Sequence, residues 1–511
     1  SMSALKKKVD GVSNWLAEFT RAYDGARYHE AAAIFDRNAG KGVPPRLLLL
    51  AGRAHLADHP TSVIKLLIGL KTPVGSRESA ERDMLLGEAF GRTQDYASAD
   101  SRLETALSTA EKLRDFELVS EIGYRFVRRH LFEGDPVKAR PFLELIRRGR
   151  SQAARLNALH AEVFILGYEE GVKEQADRLV ELLRSVDSGS LEFLHHRAWA
   201  AHTLAVLARE LFLPQAIPEI ERHLAGAWTD DFRANRYQAT KALGWAKALQ
   251  GDYFNAFRHL RQASELAPTD AWKVVAACDR AYLARCLREA SWSRQELDVA
   301  EETAAKVAWH ATLGEERIGL LLLAELFASL DSAKSAMYLA QYRELGTIKS
   351  PLHHRADARL IAFARYSTGV TEIALGNLKR GMAELHEARK VFERFGYGWR
   401  VARCLLAEYG VTGNADLLPI ASEKMRNYGQ SWLAVELRAL GEQPGDVALP
   451  PRQKRVFEEV CRGKSTAEIA KTLDRSEYTV NNQLKEIFRA FNVKSRAGLL
   501  AEASRRGLMP S

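Results

Sequence analysis

The sequence predicts an all-α protein in which a long helical repeat solenoid is followed by a small separate helical domain. From about residue 10 to residue 440, apolar residues recur at spacings of three and four, with glycine breaks and no lasting β-type alternation. A turn followed by a helix recurs along this stretch. The sequence GEQPGDVALPP, residues 441–451, then has three Pro and two Gly in eleven residues. We therefore predict a repeat domain over residues 1–440, a linker over 441–448 and a C-terminal domain over 449–511.

The clearest copy of the recurring theme is ALQGDYFNAFRHLRQASELAP. Its order of small and large residues, which includes Gly251, Tyr253, Ala256 and Leu260, resembles the second helix of a tetratricopeptide repeat. Fainter copies are GRTQDYASADSRLETAL, LFEGDPVKARPFLELI and ALGNLKRGMAELHEARKVF. Their spacing suggests about 40 residues per unit, and their small residues would let successive hairpins pack closely into one continuous core. An irregular helical bundle is the alternative.

Composition and charge limit the classes of protein to be considered. The chain has 511 residues, of which 46% are hydrophobic and 27% are charged, as in soluble folded proteins. Its most apolar run, Ile318 to Leu330, contains Glu325 and is too short to span a membrane, so we expect a buried helix. The four cysteines form no C-x-x-C pair, which indicates neither a zinc nor a redox site and fits a reducing cytoplasm. Residues 449–511 carry thirteen Lys and Arg against seven Asp and Glu, so this short segment can attract a polyanion.

The tetrapeptide GKST, from Gly463 to Thr466, looks like the end of a phosphate-binding loop but lacks the rest of that motif. Glu458 stands where the first glycine is required, and the preceding VFEEVCRG has the pattern of a helix rather than a strand. The sequence STAEIAKTL instead predicts a capping box, in which the side chains of Ser465 and Glu468 each accept a hydrogen bond from the other's backbone amide. We therefore expect the start of a helix here and no nucleotide site.

After the break DRS, Ser476 is predicted to cap a further helix that runs from about Glu477 to Phe491. Two short helices joined by a tight turn, the second amphipathic and basic, predict a helix-turn-helix. One side of this second helix collects the apolar residues Val480, Leu484, Ile487, Phe488 and Phe491. The other side collects the polar residues Tyr478, Asn481, Asn482, Lys485 and Arg489. Asn can pair with adenine in the major groove, and Lys and Arg can contact guanine or phosphate, although any solvated face is polar as well.

The C-terminal sequence resembles, over about sixty residues, the DNA-binding domain of the LuxR family of bacterial transcription regulators. The matching positions are Leu449, Pro451, Arg452, Val456, Gly463, Ser465, Glu468, Ile469, Ala470, Leu473, Ser476, Thr479, Val480, Leu484, Ile487, Phe488, Val493, Ser495, Arg496 and Leu499. The sequence has Gln453 where the family usually has Glu, which removes an internal salt bridge. It also has Asn481 where Lys is common and Gln483 where His is common, so the target DNA sequence does not carry over.

The resemblance implies a role for each group of side chains. Asn481, Asn482 and Lys485 would face bases, with Tyr478 and Arg489 as further groove contacts. The residues expected near DNA phosphates are Ser465, Thr466, Thr479, Gln483, Lys494, Ser495 and Arg496. The family dimerises through the last helix, which here contains Leu499, Leu500 and Ala503. The implied partners are double-stranded DNA and a second copy of the chain, with no cofactor and no metal.

Our leading hypothesis is a bacterial, cytoplasmic transcription regulator that associates with the nucleoid when bound to DNA. Its repeat array would receive a peptide, a protein or a small ligand on a concave face. The alternative is a repeat-scaffold adaptor that recruits proteins to DNA without regulating transcription. An enzyme is the third hypothesis, with candidates in the pairs His195–His196 and His353–His354. Adjacent helical residues point about 100° apart and no catalytic motif is present, so we expect no catalysis. Because the most apolar run is too short to span a membrane, we expect no membrane partner either.

Overall fold

The structure, a computed structural model, describes residues 14–40, 42–312, 314–345, 358–441, 447, 449–506 and 508–510. It is 78% helical, and the described residues form no strand, which confirms the all-α prediction. Within these residues, no helix combines the length and the apolar character needed to cross a membrane.

Twenty-four helices precede the C-terminal segment in the described chain. They are α1 (14–24), α2 (Tyr28–Asn38), α3 (Pro45–His55), α4 (Pro60–Leu67), α5 (Arg77–Arg92), α6 (Tyr96–Lys112), α7 (Phe116–Glu133), α8 (Pro136–Ala139), α9 (Leu143–Ile146), α10 (Gln152–Tyr168), α11 (Val172–Arg184), α12 (Leu194–Glu210), α13 (Ile217–Leu224), α14 (Arg233–Leu249), α15 (Tyr253–Leu266), α16 (Asp270–Cys286), α17 (Ala290–Ala304), α18 (Ile318–Phe327), α19 (Ser332–Glu344), α20 (Ala358–Ala374), α21 (Leu378–Phe395), α22 (Gly398–Thr412), α23 (Leu417–Lys424) and α24 (Trp432–Gly441).

Four further helices form the C-terminal segment: α25 (Pro451–Cys461), α26 (Thr466–Thr472), α27 (Glu477–Ala490) and α28 (Arg496–Arg505). Short 3-10 helices occupy Arg140–Phe142, Pro214–Ala216, Asp230–Phe232, Trp309–Ala311, Gly314–Arg317 and Arg426–Tyr428. Every residue of α18 is buried, so the apolar run from Ile318 forms the buried helix that was predicted. Cys278 and Cys404 are buried and Cys286 and Cys461 are half-buried.

The first twenty-four helices pack as a series of antiparallel hairpins. For example, α5 packs on α6, α14 on α15, α16 on α17 and α20 on α21. The first helices of successive hairpins begin at Arg77, Phe116, Gln152, Leu194, Arg233, Asp270, Ile318, Ala358 and Gly398, roughly 40 residues apart. This regularity supports a helical repeat array over an irregular bundle. The specific likeness to tetratricopeptide repeats stays a prediction.

The turns of several hairpins combine a left-handed residue with a helix cap. Gly134, Gly251 and Gly376 have φ of +82°, +80° and +90°, a region that glycine enters without a steric penalty. Gln94, Glu170 and Arg288 adopt the same region in equivalent turns. The next residue often caps the second helix, as Asp252 does by accepting a hydrogen bond from the Asn255 amide at 3.3 Å. Glycine breaks in the sequence therefore mark some of the turns but not all of them.

Small residues allow the two helices of a hairpin to approach closely. A Cβ atom added to Gly381 on α21 would lie 2.6 Å from the carbonyl oxygen of Gly369 on α20. That distance is shorter than a real Cβ contact, so only glycine fits this crossing point. The close approach of small residues at helix crossings was predicted for this segment and is present.

The array coils so that residues about 200 positions apart in sequence come into contact. The Thr229 hydroxyl donates to the carbonyl oxygen of Ala26 at 3.0 Å. Further along, the Tyr253 hydroxyl donates to the carbonyl oxygen of Gln430 at 3.2 Å. Hairpins in a repeat array otherwise contact mainly their neighbours, so these contacts join successive turns of the coil.

A buried ion pair between α12 and α22 joins two such turns. Arg400 donates from both Nε and Nη2 to the two carboxylate oxygens of Glu210, with Nη2 2.7 Å from Oε1. Only 6% of the Arg400 side chain and 3% of the Glu210 side chain are exposed. Arg209 donates to Glu210 as well, at 2.7 Å. Burial raises the pKa of Glu210, but Arg400 and Arg209 outweigh it and hold the pKa below its ordinary value.

We predict that Glu210→Ala lowers the free energy of unfolding of the array by about 3–5 kcal/mol, because it leaves Arg400 buried and unpaired. Urea denaturation followed by circular dichroism measures the change. The control is Glu423→Ala, which breaks the exposed pair of Glu423 with Arg426 and should cost less than about 1 kcal/mol. Equal effects of the two substitutions would contradict a role for the buried pair in holding the coil together.

Candidate nucleic-acid interface

Helices α25 to α28 enclose a hydrophobic core of their own. Its buried members are Val456, Phe457, Val460, Ile469, Ala470, Val480, Leu484, Ile487, Phe491, Leu499 and Ala503. The rings of Phe457 and Phe491 stack with their centroids 5.0 Å apart. The core determines which faces of these helices remain available to a partner.

The predicted linker over 441–448 falls mostly outside the described residues, so the domain boundaries remain a prediction.

The GKST loop ends α25 and starts α26. Gly463 has φ of +81°, which terminates α25 in the left-handed region. The ammonium group of Lys464 pairs with Glu459 of α25. The Ser465 hydroxyl accepts from the Glu468 amide at 3.3 Å, and the Glu468 carboxylate accepts from the Ser465 amide at 2.7 Å. The predicted capping box is therefore confirmed, and the pairing of Lys464 does not fit a phosphate-binding loop.

Helix α27 is oriented by its cap and its apolar stripe. The Ser476 hydroxyl accepts from the Thr479 amide at 3.1 Å, as predicted. Val480, Leu484 and Ile487 are buried in the domain core. The opposite face is therefore turned away from the domain core. Two short helices with this arrangement are the helix-turn-helix predicted from the sequence.

The exposed face of α27 carries the residues that were predicted to contact bases. Asn481, Asn482, Lys485 and Arg489 are exposed, and Tyr478 is 76% exposed. Among the described residues, none forms a hydrogen bond with the side chain of Asn481, Asn482 or Lys485. These three side chains are free to bind an external partner.

The residues predicted to lie near phosphates divide into two groups. Ser465, Thr479, Lys494 and Ser495 are exposed, and Thr466, Gln483 and Arg496 are half-buried. Ser495 also caps α28 by accepting from the Gly498 amide at 3.1 Å. Ser465, Thr466, Thr479 and Ser495 thus all lie at the N-termini of three helices. Backbone amides at such positions favour an anion.

Arg496 is engaged within the domain. Its Nη1 donates to the carbonyl oxygen of Lys464 at 2.8 Å, and its Nη2 donates to the Thr466 hydroxyl at 2.7 Å. The side chain therefore holds the start of α26 against the start of α28. This internal role was not visible in the sequence, because the two segments are thirty residues apart.

Two further contacts around α27 were missed by the sequence analysis. Arg475, in the turn between α26 and α27, donates to the side-chain oxygen of Gln483 at 2.8 Å. Gln453 donates to the Glu486 carboxylate at 2.5 Å. Gln453, where the sequence differs from the LuxR pattern, therefore forms a hydrogen bond that joins α25 to α27. In the sequence, only the basic character of Arg475 and its position directly before the predicted Ser476 cap could have indicated its contact with Gln483.

The predicted dimerisation residues on α28 require a correction. Leu499 and Ala503 are 0% exposed because both pack into the domain core. Their side chains cannot contact a second copy of the chain while this core is intact. Leu500 is half-buried at the edge of the core, and Ala497, Ala501 and Ser504 are exposed. A dimer formed through α28 would therefore use this second face.

Of the histidines that were considered for catalysis, His196 is packed in the array and His195 is exposed. His196 on α12 is 1% exposed, and its Nδ1 lies 2.6 Å from Nδ1 of His160 on α10. Burial lowers the pKa of His196 well below its ordinary value, so the ring is neutral. The pair His353–His354 lies outside the described residues. In the part of the chain that the structure describes, no three His, Cys, Asp or Glu side chains form a group able to hold a metal ion.

Comparison with protein families identifies the C-terminal domain. Residues 447–503 match the family described as bacterial regulatory proteins, luxR family. No curated protein matches the chain. The matched residues include α25, α26 and α27 and most of α28, which form the helix-turn-helix and its supporting core. A domain of this kind binds DNA and is not itself catalytic. The C-terminal domain therefore belongs to the luxR family, and the chain is a DNA-binding transcription regulator.

Proposed function

We propose that this regulator recognises a specific DNA sequence through α27, and that its helical array receives the signal that controls binding. The observation that carries the first part is the exposed polar face of α27, opposite a stripe of buried apolar residues. A helix fixed in this way can enter the major groove with one face toward the base edges.

Three side chains on that face suit direct contact with bases. Asn481 and Asn482 can each donate and accept toward the edge of adenine, and Lys485 can donate to guanine. Tyr478 lies one turn before Asn482 and Arg489 lies one turn beyond Lys485, so both extend the contact along the groove. The two amides add a preference for adenine to the contact that Lys485 can make with guanine.

The rest of the domain offers cations to the DNA backbone. Its exposed basic residues include Arg452, Lys454, Arg455, Lys471, Lys485, Arg489 and Lys494. Lys494 lies directly before the α28 cap, beside the exposed hydroxyl of Ser495. Neutralisation of phosphates by such residues releases counterions and makes binding depend on salt. We assign Lys494, with Ser465, Thr479 and Ser495, to direct phosphate contact, and we assign Arg496 to positioning Thr466.

A homodimer is the second element of the proposal. Members of this class of helix-turn-helix bind as pairs to half-sites about one helical turn apart. The α28 face formed by Ala497, Leu500, Ala501 and Ser504 contains small residues that would let two helices approach closely.

The third element of the proposal is the helical array, which receives a peptide, a protein or a small ligand in its coiled interior.

We predict that Asn482→Ala weakens binding to the specific site by about 1–3 kcal/mol and relaxes the preference at one base pair. The amide forms no hydrogen bond with any described residue, so the loss should come from the DNA alone. Fluorescence anisotropy on a selected duplex and on a scrambled duplex measures it. An equal loss on both duplexes would show that α27 does not read bases as proposed.

We predict that Lys494→Ala weakens binding almost equally on all sequences and reduces the salt slope by about one unit. Arg496→Ala should act differently, because it leaves the Lys464 carbonyl and the Thr466 hydroxyl without their donor. That loss should cost the domain about 1–3 kcal/mol of stability. Hydrogen exchange of peptides from α26 and α28, followed by mass spectrometry, should show faster exchange in Arg496→Ala only. Unchanged exchange in this variant would contradict the positioning role.

We predict that Ala501→Glu abolishes binding to paired half-sites and leaves the domain folded, since Ala501 is exposed and lies outside the core. Footprinting on DNA with two half-sites, together with light scattering, measures the change. Two half-sites whose centres are one helical turn of DNA apart should place the reading helices about 34 Å apart. A single half-site footprint that this substitution does not alter would refute a dimer through α28.

A further inference from the structure

The interior of the coiled array contains a cavity of about 520 Å³, which is within the range of small-molecule sites. Its walls come from α10, α11, α12, α14, α16, α18, α20, α21 and α22, and they include Glu210 and Arg400. Twelve Phe, Tyr and Trp side chains line it, including Trp199, Trp245, Trp272 and Trp399. So many rings around one cavity favour a flat aromatic ligand that can stack between them.

Most of the charged groups in these walls are already satisfied within the protein. Glu210 accepts hydrogen bonds from Arg400 and Arg209. Glu325 accepts from the Ser367 hydroxyl at 2.9 Å and lies 3.9 Å from the guanidinium of Arg403. These charged groups are engaged with one another and have few free hydrogen-bonding positions left for a ligand.

Asp279 on α16 and Lys241 on α14 differ from the other charged groups. Asp279 is 8% exposed, and its Oδ2 atom accepts no hydrogen bond from any described residue. Lys241 forms no ion pair within the described chain, and its ammonium group lies 5.1 Å from the ring centroid of Trp272. Burial raises the pKa of Asp279 and lowers that of Lys241, and each exerts the largest opposite-charge effect on the pKa of the other. An unused acceptor and an unused donor of opposite charge thus line the same cavity.

Two neutral groups in the same walls repeat this pattern. The Oε1 atom of Gln175 is a buried acceptor without a donor, and Nε1 of Trp399 is a buried donor without an acceptor among the described residues. Buried polar atoms of this kind normally have partners, and leaving one unmatched costs about 1–3 kcal/mol. The unmatched groups of the cavity therefore include both acceptors and donors.

We propose that the cavity binds a flat aromatic ligand of no net charge, which donates a hydrogen bond to Asp279 and accepts one from Lys241. The rings supply stacking surface, and the two polar groups fix the orientation of the ligand. A cation would approach Asp279 but would lie beside Lys241, and an anion would have the opposite conflict. This inference rests on the proposed function, because it identifies the signal that the array receives.

Two kinds of molecule share this chemistry. In an aromatic α-amino acid, the ammonium group would face Asp279 and the carboxylate would face Lys241. In a heteroaromatic lactam, a ring N–H would face Asp279 and the adjacent carbonyl would face Lys241. L-Tryptophan and hypoxanthine are the probes for the two kinds. Tryptamine and indole-3-acetate keep the indole ring but carry a net positive and a net negative charge.

Isothermal titration of the full chain with these four probes at neutral pH tests the proposal. We expect L-tryptophan or hypoxanthine to bind, and we expect tryptamine and indole-3-acetate to bind at least about tenfold more weakly than the preferred neutral probe. Asp279→Asn and Lys241→Met should each weaken the preferred probe at least about tenfold. The matched controls are Asp270→Asn on α16 and Lys247→Met on α14. Lys247 pairs with Glu221 and Asp270 with Lys273, away from the cavity lining, so neither control should change binding.

The proposal is overturned if neither neutral probe binds, if a charged indole binds most tightly, or if the controls weaken binding as much as the cavity variants. The four-probe comparison uses the unaltered protein, so it decides the matter even if a variant fails to fold. DNA affinity is then measured with and without the preferred probe. Binding without any effect on DNA affinity would support the cavity and contradict the signalling part of the proposed function.

Discussion

The buried pair of Glu210 and Arg400 is the contact on which the form of the array depends. It joins helices 190 residues apart in sequence, whereas most contacts in a repeat array are between neighbouring hairpins. Both side chains are almost completely removed from water, so each is tolerated only because the other neutralises it. Arg400 also lies over the rings of Trp399 and Phe363, at 4.5 Å and 4.9 Å from their centroids. One side chain thus combines an ion pair with packing that holds two turns of the coil together.

The same contact explains why an interior cavity exists. An open array of hairpins would expose the aromatic side chains of its inner helices to water. When α12 and α22 are joined, these rings become the walls of a cavity. Asp279 Oδ2 and Trp399 Nε1, which have no partner among the described residues, lie in that space. Buried polar atoms normally have partners, so a ligand in this space could supply the ones that these two atoms lack.

Short-range interactions determine most of the structure of the C-terminal domain. The caps at Ser465, Ser476 and Ser495 start three helices, and each uses a hydrogen bond to an amide three residues along the chain. The apolar stripe of α27 then fixes which face meets the core and which face remains exposed. A ligand in the array can affect DNA binding only if it favours one arrangement of the chain over another.

The sequence by itself determined the all-α fold, the approximate length of the repeating unit, the starts of α26 and α27 and the exposed face of α27. These features depend on periodicity and on residues three or four positions apart, which a sequence displays directly. The tertiary structure alone decided that Leu499 and Ala503 are buried, that Arg496 holds α26, and that Gln453 bonds to Glu486. It also decided the Glu210–Arg400 pair and the unmatched polar atoms of the cavity. Each of these depends on which distant segments the packed core brings within a few ångströms, and no local pattern encodes that distance.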